Sequence, residues 1–239
     1  MTRMLLVATA ALLTSACHFG SEAKDRDAGP STSRTYSVGA FDKIESAGAY
    51  DLKVVSGDKP GVTATGGASL LDETEVVVEN GELKIRPKEH GMFHWSGNGT
   101  KTVFTITTPT LRALSLAGAG DASIDKVSGD FEATLAGAGD LKMATVDAGN
   151  LKLSVAGSGN ISGAGKANNL DLSIAGSGDV DVQGLTAQTA DISIAGAGDV
   201  RANVASTAKV SILGSGDVDI SGGAKCDVSK MGGGEVKCH

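Results

Sequence analysis

Leu114-Ser115-Leu116-Ala117-Gly118-Ala119-Gly120-Asp121 decides the fold, because the chain repeats it. Copies run over 133–140, 153–160, 172–179, 192–199 and 210–217, with a degraded one over 228–235. The last position of each copy moves through Asp121, Asp140, Asn160, Asp179, Asp199, Asp217 and Glu235, in steps of 19, 20, 19, 20, 18 and 18. Each copy reads apolar, polar, apolar, small, Gly, small, Gly, Asp, and alternation usually resumes afterwards, as in Val180-Asp181-Val182. A period of two marks a strand with one buried face. Gly supplies the backbone angles of a sharp corner, and a short Asp or Asn side chain can cap it. A unit this small cannot bury its own apolar face, whereas stacked units share one interior. The sequence therefore predicts an all-β chain forming a parallel β-helix, a solenoid with coils of about 19 residues. An antiparallel barrel ranks second, since it needs hairpin turns and would not reuse one corner so regularly.

Stacking assigns columns. Leu116, Leu135, Val155, Ile174, Ile194 and Ile212 point inward, as do Ile124, Met143, Val182 and Ile220. Outward, the residue two after each Asp runs Ser123, Lys142, Ser162, Asp181, Arg201, Asp219, Lys237, so the last four alternate in sign. Glu132, Lys152, Asp171, Asp191, Lys209 and Asp227 alternate with one exception. Exposed pairs of this kind contribute less than about 1 kcal/mol each, so they speak for register rather than stability.

Outside the repeats, residues 36–111 are strand-like but not repetitive, with runs at 50–55, 75–78, 82–86 and 101–107 and a hairpin-type turn at Asn80-Gly81. No composition break separates them from the repeats, so 36–239 reads as one domain, 36–111 beginning or capping the solenoid built by 112–239. Gly 34 with only Pro 4 is not collagen-like, and 41% apolar residues exclude a disordered chain. Past Thr110 the sole aromatic is Phe131, so that core is aliphatic. From Cys17 onward 20 Lys+Arg face 28 Asp+Glu, a balance that argues against nucleic acid and anionic membrane surfaces as partners.

Residues 1–16 have the anatomy of a secretory signal peptide: Arg3, an apolar stretch over 4–13, then Thr14-Ser15-Ala16. That stretch is too short to span a bilayer. Leu13-Thr14-Ser15-Ala16-Cys17 resembles a bacterial lipobox, with Thr14 where Leu is usual. Lipidation of Cys17 leaves Cys226 and Cys238 as an even pair in an oxidising compartment; a soluble secreted form would carry an odd thiol. Residues 17–35 read as a flexible tether. The expected location is the outer membrane through a lipid anchor, facing periplasm or exterior, with a soluble periplasmic protein as the alternative. Aligning the seventh copy on the sixth puts Cys226 on Ala208 and Cys238 on Ile220, both inward, so a Cys226–Cys238 disulfide is expected to close a terminal coil whose inward column is broken by Lys230.

The column Asp121, Asp140, Asn160, Asp179, Asp199, Asp217 is read as corner-capping. Stacked carboxylates could attract Ca²⁺, but the pattern lacks the second Gly-x-Asp of calcium-binding nonapeptide repeats, and no metal is expected. His90 and His94 have zinc-like helical spacing, yet Gly91, Gly97 and Gly99 oppose a helix. A loop carrying Met92, Phe93 and Trp95 is expected instead, with Phe93 and Trp95 as candidate contact residues. Ser115, Thr134, Ser154, Ser173, Ser193, Ser211 and Ser229 form an outward hydroxyl column suited to sugar but needing no function. No nucleophile, base and orienting acid fall into a catalytic motif, and no cofactor is implied.

Phe41-Asp42-Lys43-Ile44, Gly48-Ala49-Tyr50-Asp51-Leu52, Asn80-Gly81-Glu82-Leu83-Lys84-Ile85 and Ile106-Thr107-Thr108-Pro109-Thr110-Leu111, in that order before the Gly-x-Gly-Asp repeats, resemble the head GIN domain of bacterial autotransporter adhesins over roughly 36–239. The resemblance implies a β-helical, secreted or lipid-anchored bacterial protein and carries over no catalytic or binding residues. The expected function is a non-catalytic envelope binding or adhesion module with a surface polysaccharide or protein as ligand, able to form oligomers. A β-helical polysaccharide lyase or hydrolase, or a purely structural envelope protein, are the alternatives.

Overall fold

The computed structural model describes residues 28–88 and 101–239. The signal-peptide stretch, Cys17, and the cluster of His90, Met92, Phe93, His94 and Trp95 lie outside the described residues. In chain order the first elements are β1 (Ser31–Tyr36), β2 (Lys43–Gly48), β3 (Tyr50–Ser56), β4 (Gly61–Gly67), a short helix α1 (Ala68–Asp72), β5 (Thr74–Glu79), β6 (Glu82–Pro87) and β7 (Thr102–Thr108). The repeats supply β8 (Ala113–Gly118), β9 (Ala122–Ile124), β10 (Val127–Ser128), β11 (Phe131–Gly137), β12 (Leu141–Gly157), β13 (Ile161–Gly176), β14 (Val180–Gly196), β15 (Val200–Gly214), β16 (Val218–Ser221), β17 (Lys225–Gly232) and β18 (Val236–Cys238). Among the described residues these form one continuous sheet wound into a β-solenoid.

Leu116, Leu135, Val155, Ile174, Ile194, Ile212 and Lys230 are successive parallel partners, which makes the coil 18 to 20 residues long. All of that column except Lys230 is buried, as are Ile124, Met143, Val182 and Ile220. Val127, Val146 and Leu185 are buried on a third side of the coil. Each such aliphatic side chain contributes roughly 1.5–3 kcal/mol on burial, and a stack of coils supplies this without aromatic bulk.

The corner explains the glycines. Gly48, Gly118, Gly137, Gly157, Gly176, Gly196, Gly214 and Gly232 all hold φ between +130° and +146°, a region closed to side chains. At the second glycine of the motif the reason is contact: a Cβ on Gly139, Gly159, Gly178, Gly198, Gly216 or Gly234 would press on the carbonyl oxygen of its counterpart one coil back.

The stack does not follow chain order at its start. β2 lies between β6 and β8, and β3 between β7 and β9, all parallel, so β6 and β7 form an outer layer reached only after the chain has built the coil inside it. Antiparallel strands cover that layer: β4 on β7, β1 on β4 and β5 on β6. Leu71 of α1 is fully buried there, and Tyr50 meets Phe104 edge-on at 5.4 Å.

Two expectations are corrected. Residues 28–35 belong to the fold rather than to a tether: Ala28 is buried, its carbonyl takes the Ser69 N–H at 3.0 Å, and Ser31–Tyr36 pairs residue for residue with β4. Small hydroxyl side chains on an edge strand mimic a linker in composition, while the backbone supplies the pairing. Residues 36–111 also contain a repeat copy: Ser46, Ala47 and Gly48 pair with Leu116, Ala117 and Gly118, and Asp51 occupies the corner below Asp121. Tyr50 replaces its second glycine. Its neighbour there is Thr102 at the start of β7, so the side chain is free to turn inward on Phe104.

Ile174 and Ser173 are adjacent but face opposite ways. Ile174→Asp should lower stability by about 4 kcal/mol or more, from a carboxylate placed in an aliphatic interior. Ser173→Asp should change it by less than about 1 kcal/mol. Urea midpoints check this, and equal shifts would contradict the packing.

Candidate functional site

The Asp corner is built by its backbone: Gly-x-Gly turns the chain so that the following Asp stands outward beside its counterpart on the next coil. Each side chain then reaches forward. Asp51 Oδ1 accepts the Asp121 N–H at 3.2 Å, Asp121 that of Asp140 at 3.0 Å, and Asp140 that of Asn160 at 3.0 Å. Asn160, Asp179, Asp199 and Asp217 continue the ladder to Asp179, Asp199, Asp217 and Glu235 at 3.1, 2.9, 2.9 and 2.7 Å. The cap therefore runs between coils instead of closing each residue's own corner. Carboxylates on adjacent coils, roughly 4.8 Å apart, repel by about 1 kcal/mol in water. A charge-assisted bond to a backbone N–H offsets this with about 1.5–3 kcal/mol. Asn160 relieves the repulsion further, since its Nδ2 donates to Asp140 at 2.9 Å.

At the head of the ladder Lys101 Nζ bridges Asp51 and Asp121, 3.2 Å from each. The Asp140 N–H and then Lys101 hold the Asp121 carboxyl below its ordinary value despite partial burial. Bonds to Asp51 and Asp121 raise the Lys101 ammonium. Beside the ladder, two residues further along each strand, Lys53, Ser123, Lys142 and Ser162 stand in register. The two rows line an open groove of about 530 Å³ with Asp51, Asp121, Asp140 and Asn160 on one side. Among the described residues no group of three His, Cys, Asp or Glu converges to hold a metal ion.

Both expected charge columns pair in register; within the second, Lys152 bonds Glu132 at 2.9 Å. The hydroxyl column is likewise in register, and Ser193, Ser211 and Ser229 line a shallow depression with Asp191, Lys209 and Asp227. A further ladder escaped the sequence reading: Asn150 Nδ2 donates to Asp130, Asn169 Nδ2 to Asn150 and Thr189 Oγ1 to Asn169, at 3.1, 2.8 and 2.9 Å. Its signal is the run Asp130, Asn150, Asn169, Thr189 and Thr207, each two residues before a member of the Glu132 column, which ends where Lys225 precedes Asp227.

Cys226 and Cys238 are joined by a disulfide between β17 and β18. Cys226 pairs with Ala208 and Cys238 with Ile220, yet Cys226 is only half-buried and Cys238 exposed, because among the described residues β17 and β18 are paired on one side only. Lys230 Nζ donates to the Gly234 carbonyl at 2.6 Å across the same open end.

Asp179→Ala removes one bond from an exposed N–H and should cost about 1 kcal/mol, read as a lowered melting temperature, while EDTA should leave the wild-type melting temperature unchanged. A large EDTA effect reversed by Ca²⁺ would overturn the hydrogen-bonding role of the column. Protein exported to a periplasm and alkylated without reduction should carry no alkyl group on Cys226 or Cys238 by intact mass; two groups would rule the bridge out.

The fold is shared with solved structures. A "putative adhesin" from Bacteroides fragilis NCTC 9343 is 22% identical with TM-score 0.83, over 90% of this chain and 100% of that one. A "putative lipid binding protein" from Parabacteroides distasonis ATCC 8503 is 25% identical with TM-score 0.69 and the same coverage. A "putative adhesin" from the latter strain is 21% identical with TM-score 0.70, over 89% of this chain and 99% of that one. No curated protein matches the sequence. The family model described as "Putative auto-transporter adhesin, head GIN domain" matches residues 40–224, ending just before β17. Corner, stack and sequence pattern thus agree, and the chain belongs to the head GIN domain family of putative auto-transporter adhesins.

Proposed function

We propose that this chain is a non-catalytic binding module held at the bacterial cell envelope by a lipid on Cys17, and that it adheres through its outward side-chain ladders. One observation carries the reading. Apart from Leu213, Val228 and Met231, the large apolar residues of the repeats turn inward, and the outward positions form in-register rows of carboxylate, ammonium, amide and hydroxyl groups along the solenoid. A rigid surface that repeats the same group at each coil can hold an extended ligand or a dense cell surface by many weak contacts, without ordering costs at each one.

A lyase or hydrolase is less well supported. The carboxylates of the Asp column accept backbone N–H groups, and Lys101 bridges Asp51 and Asp121, whereas acid–base work on a glycan needs paired carboxyls with separated roles. Lipid binding, named for one structural relative, is not favoured either, because the interior is filled by Leu, Ile and Val and the groove is lined by charges.

In intact cells carrying the full chain, externally added protease should remove the domain, and Cys17→Ser should release it from the membrane fraction. Protection in intact cells with digestion only after permeabilisation would overturn surface adhesion, and an unchanged fractionation of C17S would overturn the lipid anchor.

A further inference from the structure

The outward column that begins at Lys53 has two halves of different character. From Asp181 onward each charge faces an opposite one in register: Asp181 with Arg201, Arg201 with Asp219, Asp219 with Lys237. The first half, Lys53, Ser123, Lys142 and Ser162, contains cations and hydroxyls only. Among the described residues neither Lys53 nor Lys142 forms an ion pair. In a chain of net charge −7, Lys53 and Lys142 are two ammonium groups without an ion-pair partner in their own column, whose later members pair with opposite charges from coil to coil.

The groove is bipolar across its width. Its other row, Asp51, Asp121, Asp140 and Asn160, consists of acceptors, and its ladder bonds employ one oxygen of each acid, while Lys101 takes the second oxygen of Asp51 and Asp121. Three lysines balance three aspartates: Lys101 lies within the aspartate row and occupies Asp51 and Asp121, Lys53 and Lys142 stand along the opposite side, and the second oxygen of Asp140 is used by neither the ladder nor Lys101. A ligand matching it carries an anion on one edge and hydrogen-bond donors on the opposite edge. Sugar acids have that form, with a ring carboxylate on one side and hydroxyls on the other. An inorganic anion offers no row of donors to the aspartates, and an extended polyacidic peptide carries carboxylates on both edges, one of which the aspartates would repel.

The spacing adds the polymer. Coils lie roughly 4.8 Å apart, so Lys53 and Lys142, two coils apart with Ser123 between them, are separated by about 10 Å along the solenoid axis. The order Lys, Ser, Lys, Ser suits an extended glycan lying along the axis, with one sugar for each coil and a carboxylate on every second sugar.

We propose that this groove binds an acidic polysaccharide with uronate on alternate sugars, its carboxylates on Lys53 and Lys142 and its hydroxyls against Ser123, Ser162 and the aspartate row. The proposal rests on the binding-module reading and names the ligand class of its groove.

The test uses the full chain, purified from membranes in mild detergent, and immobilised hyaluronan oligosaccharides as the alternating-uronate probe, with dextran and polyglutamate beside them. Hyaluronan should bind, and binding should weaken steeply between low and physiological salt. Lys53→Ser and Lys142→Ser should each weaken it at least about fivefold, and the double variant should abolish it. Both substitutions are on the solvent side of strands, and an unchanged melting temperature checks that the fold is intact. Lys166→Ser, on another side of the coil and paired with Asp147, should bind as the wild type does. Equal binding to dextran, equal or better binding to polyglutamate, or wild-type affinity in the double variant would overturn the proposal. Failure to bind hyaluronan by a protein that still attaches cells would overturn the ligand class alone and leave adhesion standing; protease protection in intact cells would remove adhesion and leave the glycan result interpretable.

Discussion

Backbone meets backbone at the Gly-x-Gly-Asp corner, and the rest of the solenoid depends on that contact. Two glycines per coil sit where a Cβ would collide with the carbonyl of the coil before. A side chain at either position would force neighbouring coils apart and break the parallel pairing on both sides of the corner. Because the corners nest, register is fixed at the same point in every turn, and a step of 18, 19 or 20 residues is absorbed elsewhere. The irregularities fall between Met143 and Val146, Ser162 and Ala164, Val182 and Thr186, and Ala187 and Thr189, away from the nested glycines.

Fixed register turns single residues into columns, and columns into properties. The Asp ladder exists because the nested corner brings each carboxylate to the next N–H. The same geometry places like charges at close spacing, and the chain answers with a backbone donor at each step, an amide at Asn160 and an ammonium at Lys101. From β8 to β16 the inward positions are filled by residues without polar groups, so binding chemistry is displaced to the outer rows. The groove at Lys53 and Lys142 lies at the end where the ladder starts.

The two ends of the stack are treated differently. At the start, antiparallel strands β1, β4 and β5 with α1 lie over the outer layer, so the parallel stack ends in antiparallel pairing. At the finish, β17 and β18 are paired on one side only among the described residues, and Leu213, Val228 and Met231 are 59%, 44% and 73% exposed. An open parallel edge invites pairing with other chains, and an inward-pointing charge is one device against it. Lys230 occupies an inward position there, and the Cys226–Cys238 bridge ties the two final strands together. The bridge and Lys230 lie past residue 224, where the family match stops.

Taken by itself, the sequence determined the repeat, the all-β solenoid, the coil length and the facing of residues in 114–238, because a corner that tolerates only Gly and a period-two strand leave a pattern at every turn. It did not show the copy at 43–54, where Tyr50 stands for the second glycine, nor that residues 28–35 join the sheet, since backbone pairing leaves no mark on Ser and Thr. Stacking order was beyond it too: that β6 and β7 lie outside β2 and β3 is a contact between segments far apart in the chain. The tertiary structure alone decided the direction of the Asp bonds and the pairing of Lys101 with Asp51 and Asp121. A side chain names its possible partners, but only the spacing of coils decides that the nearest donor belongs to the next one.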